Sequence, residues 1–317
     1  MEKIINDKHS NTTYDEEEIS LREIFDVIIE GKWVIVSLSA FASIIGVIYS
    51  LSLPDIYESK ALLVPVNSSS SISSSLQGFS GLAGLAGISL PSSGAESVNE
   101  KAIQKLVSLS FFENNVMSGI FLPDLMALQS WDYKTNTLNY DEDIYNKNSN
   151  AWVRDYSYPN KQIPSIQESF RVFQNEHINI STNKKTGFVS LLVRHKSPYV
   201  AKKWSELLIR EINIFYRQQD KLESKKAVSY LNEQIALTSL SEVKQVMAEL
   251  LQNEIQKLTL IEANQSYVFD YIDPPAVMEQ KSEPNRAFIC ILSSLLGGLL
   301  SIFIVLIKHY IPREKTF

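Results

Sequence analysis

Two long apolar blocks dominate the pattern of hydrophobic and polar positions along the chain. Between Lys32 and Asp55 there are 22 residues without a charge, and between Arg286 and Lys308 there are 21. At ~1.5 Å of rise per residue, a helix of either length crosses a hydrocarbon core of ~30 Å. The pattern therefore predicts transmembrane helices over residues 33–53 and 287–307. It excludes an ordinary soluble enzyme, and also a multi-span transporter, because two helices enclose no pathway within one chain.

The charges beside these blocks predict the orientation of the chain. Two spans place both termini on one side of the membrane and residues 54–286 on the other. Basic residues are more frequent beside the termini (Arg22, Lys32, Lys308, Arg313, Lys315) than beside the loop (Lys60, Lys281, Arg286). Because basic flanks favour the cytoplasm, we expect cytoplasmic segments over 1–32 and 308–317 and a periplasmic domain over 54–286. Such short cytoplasmic segments exclude a histidine kinase, a cyclase or a fused ATPase.

A long amphipathic helical pattern fills the second half of the loop. From Tyr199 to Asp273 there are 75 residues without proline or glycine, and apolar residues recur at spacings of three and four. A single helix of that length would run ~110 Å, yet the chain returns to the second span. We therefore predict a helical region over 199–266 that turns at Thr238–Ser241, where Ser239 and Glu242 form a capping-box pattern.

This helical hairpin is too thin to bury its own apolar positions. It therefore predicts a ring or bundle of identical subunits, with a monomer whose hairpin folds onto the base as the alternative. The remaining pattern predicts short strands over 57–66, 177–181, 188–193 and 267–272. The last of these is expected to pair with the first. Helices are predicted after Ser97 and Ser165, and residues 123–164 are expected to be irregular. The predicted fold is an α+β membrane protein, in which two transmembrane helices flank a periplasmic α/β base with a long protruding helical hairpin.

A serine- and glycine-rich segment covers residues 67–97. Its composition is typical of a flexible linker. Its apolar part, residues 76–90, also has the length to line a membrane surface or the lumen of an assembly. Both interpretations stay open for Gly78, Gly81, Leu82, Gly84, Leu85 and Gly87.

Composition and charge limit the partners, ligands and reactions that the chain is expected to have. The net charge of −6 and the pI of about 5.4 argue against a nucleic-acid partner. Cys290 is the single cysteine, so no internal disulfide forms. His177 and His195 have no further ligand at metal spacing, and we expect no metal, no cofactor and no catalytic residue. A glycan hydrolase that uses Asp141 and Asp143 is the least favoured hypothesis, because adjacent acids on a loop are commonly solvated.

Two groups of residues are candidates for contacts. Gly297 and Gly298 are expected to allow close packing of the second span against a partner or sister helix, and Pro284 to orient the chain as the span begins. Lipid-facing glycines are the alternative. Arg210, Arg217 and Lys221 belong to a basic stretch that is predicted to meet a neighbouring subunit or a glycan, unless it forms a solvated helix face.

In order and spacing, these features resemble the Wzz-type chain-length determinants, the polysaccharide co-polymerases of bacterial inner membranes. The resembling segments are 18–25, 31–33, 53–59, 82–87, 197–201, 230–234, 273–276, 284–286 and 297–298. The chain departs from the family's pattern at Met278 and Lys281, where further prolines are usual. The class with a fused tyrosine kinase is excluded, because the tail carries neither a Walker A motif nor a tyrosine cluster.

The resemblance implies a non-enzymatic regulator of the modal length of a lipid-linked surface polysaccharide, the O-antigen of lipopolysaccharide or a related glycan. It implies a homo-oligomer, expected to be octameric, in the inner membrane. The implied partners are a Wzy-type polymerase, the undecaprenyl-linked glycan and the lipid bilayer. An adaptor that activates a separate cytoplasmic tyrosine kinase in capsule or exopolysaccharide export is the alternative, although the ten residues after the second span give a kinase little to dock on.

Overall fold

The computed structural model describes residues 21–66, 94–264 and 266–310. The chain divides into two compact units, one made from its two ends and one from Pro54–Glu283. The first unit holds helices α1 (Leu21–Glu30), α2 (Lys32–Ser52) and α9 (Arg286–Tyr310). Only Gly31 separates α1 from α2, and its carbonyl accepts hydrogen bonds from the N–H groups of Val34 and Ile35, so the helical path continues through it.

Helices α2 and α9 have the length and composition of membrane spans. Their mean hydropathies are 2.2 and 2.6, and only 11% and 17% of their most apolar stretches are buried within the chain. The core helix of a soluble domain would be mostly buried. The exposed aliphatic surface of both helices therefore agrees with the two predicted spans.

The second unit is built on a four-stranded antiparallel sheet with the order β6-β7-β1-β8. Its strands are β1 (Tyr57–Pro65), β6 (Ile178–Thr182), β7 (Val189–His195) and β8 (Phe269–Asp273). β6 and β7 are joined by a turn in which Gly187 has a φ of +72°, as the glycine in the sequence predicted. β8 pairs with β1, so the predicted pairing of the returning strand is confirmed.

One face of this sheet carries the core. Ala61 and Leu63 of β1 alternate with exposed or half-buried residues, and Leu191 and Val193 of β7 lie on the same face. Helix α7 (Pro198–Leu237) covers that face with the side chains of its first four turns, among them Trp204, Leu208 and Ile212.

Shorter helices close the sides of the core. They are α3 (Gly94–Leu106), α4 (Leu109–Phe111), which continues as a π-helix (Phe112–Val116) and a 3₁₀ turn (Met117–Gly119), α5 (Leu122–Met126) and α6 (Ile166–Val172), which continues as a π-helix (Phe173–His177). Ser165 caps α6 as predicted, because its hydroxyl accepts a hydrogen bond from the N–H of Glu168 at 3.2 Å. The predicted start after Ser97 is wrong, since α3 begins at Gly94.

The prediction that residues 123–164 are irregular is also wrong. They contain α5 from Pro123 onward and two small hairpins, β2 (Leu128–Asp132) with β3 (Thr137–Tyr140) and β4 (Tyr145–Asn146) with β5 (Ala151–Trp152). The tight turns use asparagine where a glycine would have signalled them. Asn136 and Asn150 have φ angles of 52° and 50°, and asparagine tolerates this conformation better than most residues.

Candidate functional site

The helical hairpin of the second unit consists of α7 and α8 (Ser241–Ala263). α7 ends at Leu237 and α8 begins at Ser241, so the predicted turn is confirmed. The predicted cap is not, because Leu240 occupies the N-cap position and no side chain caps the helix. Thr238 instead closes α7, as its hydroxyl donates to the carbonyl of Gln234 at 2.8 Å.

Burial along α7 changes after Ile212. Nine residues from Pro198 to Ile212 are buried, whereas Ser224 is the only buried residue from there to Leu237. In α8 only Ile261 is buried. Large apolar side chains on this outer part are 37–73% exposed, and we call them the distal hairpin surface: Leu222, Tyr230, Leu237, Leu240, Val243, Val246, Leu250, Ile255 and Leu260. Because burying such a side chain contributes about 1.5–3 kcal/mol, this surface favours association.

A groove of about 370 Å³ lies between the two helices of the hairpin. Its lining includes Ala227, Tyr230 and Leu231 from α7, with Leu250 and Glu254 from α8. The Oε2 atom of Glu254 is buried there and has no hydrogen-bond partner among the described residues. A buried carboxylate oxygen without a donor is costly, so this groove is a place where a donor from another molecule would be stabilising.

The three basic residues singled out in the sequence lie in two places on α7. Arg217 and Lys221 face Glu262 of α8, and Lys221 forms an ion pair with it. The hydrogen bond and charge of Lys221, followed by the charges of Lys225 and Arg217, lower the pKa of the Glu262 carboxyl. The Arg210 side chain is 60% exposed and forms an ion pair with its neighbour Glu211 at 3.1 Å. Arg210 is thus the most accessible of the three for a second molecule.

The base of the hairpin is fixed by Asn213, which the sequence analysis did not single out. Its side-chain oxygen accepts hydrogen bonds from the N–H groups of Tyr267, Val268 and Phe269 at 3.1, 2.7 and 3.0 Å. Its amide also donates to the carbonyl of Phe269 at 2.9 Å. The Tyr267 hydroxyl donates to Asp220 at 2.5 Å, and burial followed by this hydrogen bond raises the pKa of Tyr267. These bonds hold β8 against α7, where the chain returns from the hairpin to the sheet.

In the first unit, small residues let α2 and α9 approach closely. A Cβ atom on Gly297 would lie 2.3 Å from the Cβ of Ala42, and one on Gly46 would lie 2.0 Å from the Ser293 hydroxyl. The Ser39 hydroxyl donates to the carbonyl of Ser294 at 3.2 Å. Gly297 therefore packs against α2 of its own chain.

Gly298 lies differently from Gly297. The nearest atom to a Cβ at Gly298 would be the Ser39 hydroxyl at 3.8 Å, which is an ordinary contact. Gly46 was not predicted from the sequence as a packing residue, although its signal was present. Small residues recur every four positions at 42, 46 and 50 on α2 and at 293, 297 and 301 on α9.

Among the described residues, Pro284 lies just before a helix, and the acidic pair Asp141 and Asp143 lies in a loop. Pro284 immediately precedes Asn285, whose side chain accepts a hydrogen bond from the N–H of Phe288 in the first turn of α9. The glycine and leucine positions from Gly78 to Gly87 lie outside the described residues. Asp141 accepts a hydrogen bond from the N–H of Asp143 at 3.0 Å, which stabilises their own loop. The carboxylate pair of the hydrolase hypothesis is therefore a turn feature in this fold.

His195 is buried, and His177 is half-buried beside it. Nδ1 of His195 accepts from the N–H of Ser197 at 3.0 Å, so its Nε2 donates to the carbonyl of Asp124 at 3.1 Å. Both ring nitrogens are therefore used. Burial, then the nearby His177, lowers the pKa of His195 to about 3. His177 contacts the carbonyl of Arg194 at 2.7 Å, and burial lowers its pKa as well. Both rings pack on Trp204 and position the start of α7.

In comparisons with known proteins, part of this chain matches a family model. Residues 17–116 match the family model of the chain length determinant protein, Wzz. The fold is similar to a full-length bacterial polysaccharide co-polymerase, with 12% identity, 94% of this chain and 100% of that chain covered, and a TM-score of 0.40. It is also similar to a fragment of WzzB, a polysaccharide co-polymerase from Salmonella Typhimurium, with 11% identity, 73% and 100% covered, and a TM-score of 0.31. No curated protein sequence matches the chain.

The family match includes α1, α2 and β1, and it ends within the π-helix that precedes α5. These are the segments that contain the first span and its exit into the sheet. The resemblance indicated by the sequence motifs is thus confirmed by the family model over residues 17–116, where the chain matches the chain length determinant (Wzz) family.

Proposed function

We propose that this protein is a membrane-anchored, oligomeric co-polymerase that sets the modal length of a surface polysaccharide. The observation that carries the proposal is the distal hairpin surface, because it leaves a long apolar face on a helical pair that has almost no core of its own. The family match at the start of the chain supports the same function. The protein acts without catalytic groups of its own, as a scaffold for a reaction that a separate polymerase performs.

In the proposed arrangement, α2 and α9 cross the bacterial inner membrane and both termini lie in the cytoplasm. The unit Pro54–Glu283 then lies in the periplasm, where the lipid-linked glycan is extended. The basic flanks support this orientation, since Lys32 lies at the start of α2 and Lys308 in the last turn of α9.

Assembly places the distal hairpin surfaces of neighbouring copies against each other. We expect eight copies in a ring, with a Wzy-type polymerase and the undecaprenyl-linked O-antigen or related glycan as partners. Arg210 is exposed on α7 and is available to acidic groups of a neighbour or of the glycan. Gly298 remains available for a helix outside the chain, because Gly297 and Gly46 are used within the α2–α9 pair.

The direct test is deletion of the gene, followed by gel electrophoresis of the surface polysaccharide. We expect the modal cluster of lengths to give way to a distribution that falls smoothly with length. Complementation with the intact gene should restore the mode. The proposal fails if deletion leaves the length distribution unchanged.

A further inference from the structure

One end of the unit Pro54–Glu283 carries both of its covalent connections to the apolar helices. Tyr57, the first residue of β1, lies four residues after Leu53, and an extended chain covers at most ~14 Å over that distance. The N–H of Ile56 donates to the carbonyl of Glu283 at 2.9 Å, and α9 begins three residues later at Arg286. If α2 and α9 cross a bilayer, chain connectivity alone requires this end of the unit to lie close to the bilayer.

The rings of Tyr57, Trp131 and Tyr199 pack together at the same end, and Tyr133 follows Trp131 by two residues. We call these four residues the aromatic end patch. The Trp131 ring lies 5.3 Å from the ring of Tyr57 and 6.1 Å from that of Tyr199. Tyr133 follows in the β2–β3 turn and is 71% exposed, while Tyr199 in the first turn of α7 is 51% exposed. The patch therefore holds two half-buried rings, those of Tyr57 and Trp131, and presents two exposed tyrosine rings to its surroundings.

The polar groups around the patch suit a layer of lipid headgroups. Trp131 Nε1 donates to Asn136 at 2.8 Å, which fixes the indole, and the Lys134 ammonium lies 5.8 Å from the Tyr133 ring at the tip of the turn. The nearby acids are engaged: Asp132 accepts from the N–H of Lys134 at 2.9 Å, and Asp55 forms an ion pair with Lys281 at 2.7 Å. Tyrosine and tryptophan favour the membrane interface, because their rings are apolar and their hydrogen-bonding groups are polar.

Packing within the protein explains the positions of only some residues of the aromatic end patch. The ring contacts within the patch explain why Tyr57 and Trp131 are half-buried. They do not explain why Tyr133 stands at the exposed tip of the β2–β3 turn beside a lysine, two residues after the Trp131 that packs on Tyr57. A lipid surface explains all four positions, since each ring is then either packed or placed at an apolar–aqueous boundary.

We propose that the aromatic end patch, with Lys134, rests in the headgroup layer of the bilayer that α2 and α9 cross. The inference rests on the membrane anchoring in the proposed function and goes beyond it. Contact at Tyr133 fixes the angle between the unit and the membrane, so that the hairpin is held in a defined direction rather than pivoting on the two connections. The partner is the lipid itself, through its phosphate groups and the first methylene groups of its chains.

The test uses the full chain in a Cys290→Ala background, which removes the single cysteine. Three variants each carry one new cysteine with an environment-sensitive fluorophore: Tyr133→Cys in the patch, Ile44→Cys on the exposed side of α2, and Tyr230→Cys on the distal hairpin surface. In the free chain the original side chains at these positions are 71%, 58% and 61% exposed. The proteins are placed in vesicles of phosphatidylethanolamine and phosphatidylglycerol that contain lipids with a quencher near the headgroup.

We expect the label at 133 to be quenched at least about twofold more than the label at 230. The label at 44 reports on anchoring by itself. If the label at 44 is quenched and the label at 133 behaves like that at 230, the aromatic end patch does not contact lipid and this inference is overturned, while the proposed function stands. If the label at 44 is not quenched, the anchoring is wrong and the inference falls with it.

Discussion

The side-chain oxygen of Asn213 accepts a hydrogen bond from the main-chain N–H of Val268 at 2.7 Å, across 55 residues of sequence. The same oxygen accepts from the N–H groups on either side of Val268, so one amide of α7 serves three donors of the returning chain. These hydrogen bonds join the hairpin to the sheet, because the segment that Asn213 holds runs directly into β8. Asn213 thus determines where the long helical excursion ends and the sheet resumes.

We expect Asn213→Ala to lower the free energy of unfolding by about 2–3 kcal/mol, because three buried or half-buried N–H groups lose their acceptor. Asn213→Asp should cost less, since it keeps the acceptor and loses only the donor to the Phe269 carbonyl. The control is Gln219→Ala, on the exposed side of the same helix, which should change stability by less than about 0.5 kcal/mol. Denaturant unfolding of the detergent-solubilised protein measures all three. Equal stability of the Asn213→Ala and Gln219→Ala variants would refute this role.

The helix pair of the first unit predicts that the two neighbouring glycines of α9 respond differently. Gly297→Leu should separate α9 from α2, since even a Cβ at Gly297 would lie 2.3 Å from that of Ala42. Gly298→Leu should be tolerated, because its Cβ meets only the Ser39 hydroxyl at 3.8 Å. Cys290 is a native reporter, as it is half-buried and its carbonyl accepts from the Ser293 hydroxyl at 3.0 Å.

Thiol labelling of the detergent-solubilised protein checks this difference. We expect Cys290 to react roughly threefold faster or more in Gly297→Leu, because the local packing opens, and at the parental rate in Gly298→Leu. Similar rates in both variants would show that Gly297 does not hold the two helices together.

Buried His195 and half-buried His177 predict a loss of stability in acid. Burial lowers the pKa of His195 to about 3, while an unfolded chain returns it to about 6.5. Between these values the unfolded state binds more protons, so the stability conferred by the neutral ring is complete above pH 6.5 and is lost as the pH falls toward 3. Near pH 5 the slope from this one group approaches ~1.4 kcal/mol per pH unit. His177 adds to it in the same direction, because burial lowers its pKa too.

Denaturant unfolding at pH 7 and pH 5 in the parent and in His195→Gln measures this slope. The variant should lose less stability between the two values, since glutamine offers a donor and an acceptor but does not titrate. Asp124 lies beside His195, and burial raises its pKa, which acts in the opposite direction at lower pH. Because the parent and His195→Gln are compared at the same two pH values, the contribution of Asp124 cancels. Identical slopes in parent and variant would contradict the assignment.

The distal hairpin surface predicts self-association that a single charge can weaken. Leu250 is 49% exposed and lines the groove beside Glu254, so Leu250→Asp places a carboxylate in an apolar contact next to an existing one. Gln252→Asp adds the same charge two residues away on the exposed part of α8. We expect Leu250→Asp to reduce the particle mass in detergent, and Gln252→Asp to leave it unchanged. A full-size particle from Leu250→Asp would exclude this part of α8 from the interface.

Local patterns in the sequence were sufficient for the sheet and for the hairpin. The turn after Leu237 was located by the Thr238–Ser241 run, within a helical stretch too long for one helix in a chain that must return to the second span. The glycine at 187 located the β6–β7 turn. The small hairpins were missed because Asn136 and Asn150 adopt positive φ in place of glycine. Ser239 was misassigned as a cap, because the chain enters α8 one residue later, through Leu240.

The contacts of the candidate sites could be predicted only in part. Gly297 was selected for its size, but its partner on α2 depends on the register of two helices that are far apart in sequence. Asn213 gave no signal, because its three donors meet it only after residues 214–266 have formed the hairpin and returned. Exposure of the distal hairpin surface, in contrast, followed from the length of the helical pattern, since two helices alone offer too little area to bury their own apolar stripes.

Under the proposed function, association through the distal hairpin surface sets the length of the polysaccharide. The most direct measurement is the length distribution of the surface polysaccharide in a deletion strain complemented with Leu250→Asp or Gln252→Asp, at equal amounts of protein in the membrane. We predict that Gln252→Asp restores the modal cluster and that Leu250→Asp gives a distribution close to that of the deletion. A wild-type modal length in cells whose Leu250→Asp protein no longer assembles would show that association through the distal hairpin surface does not set the length.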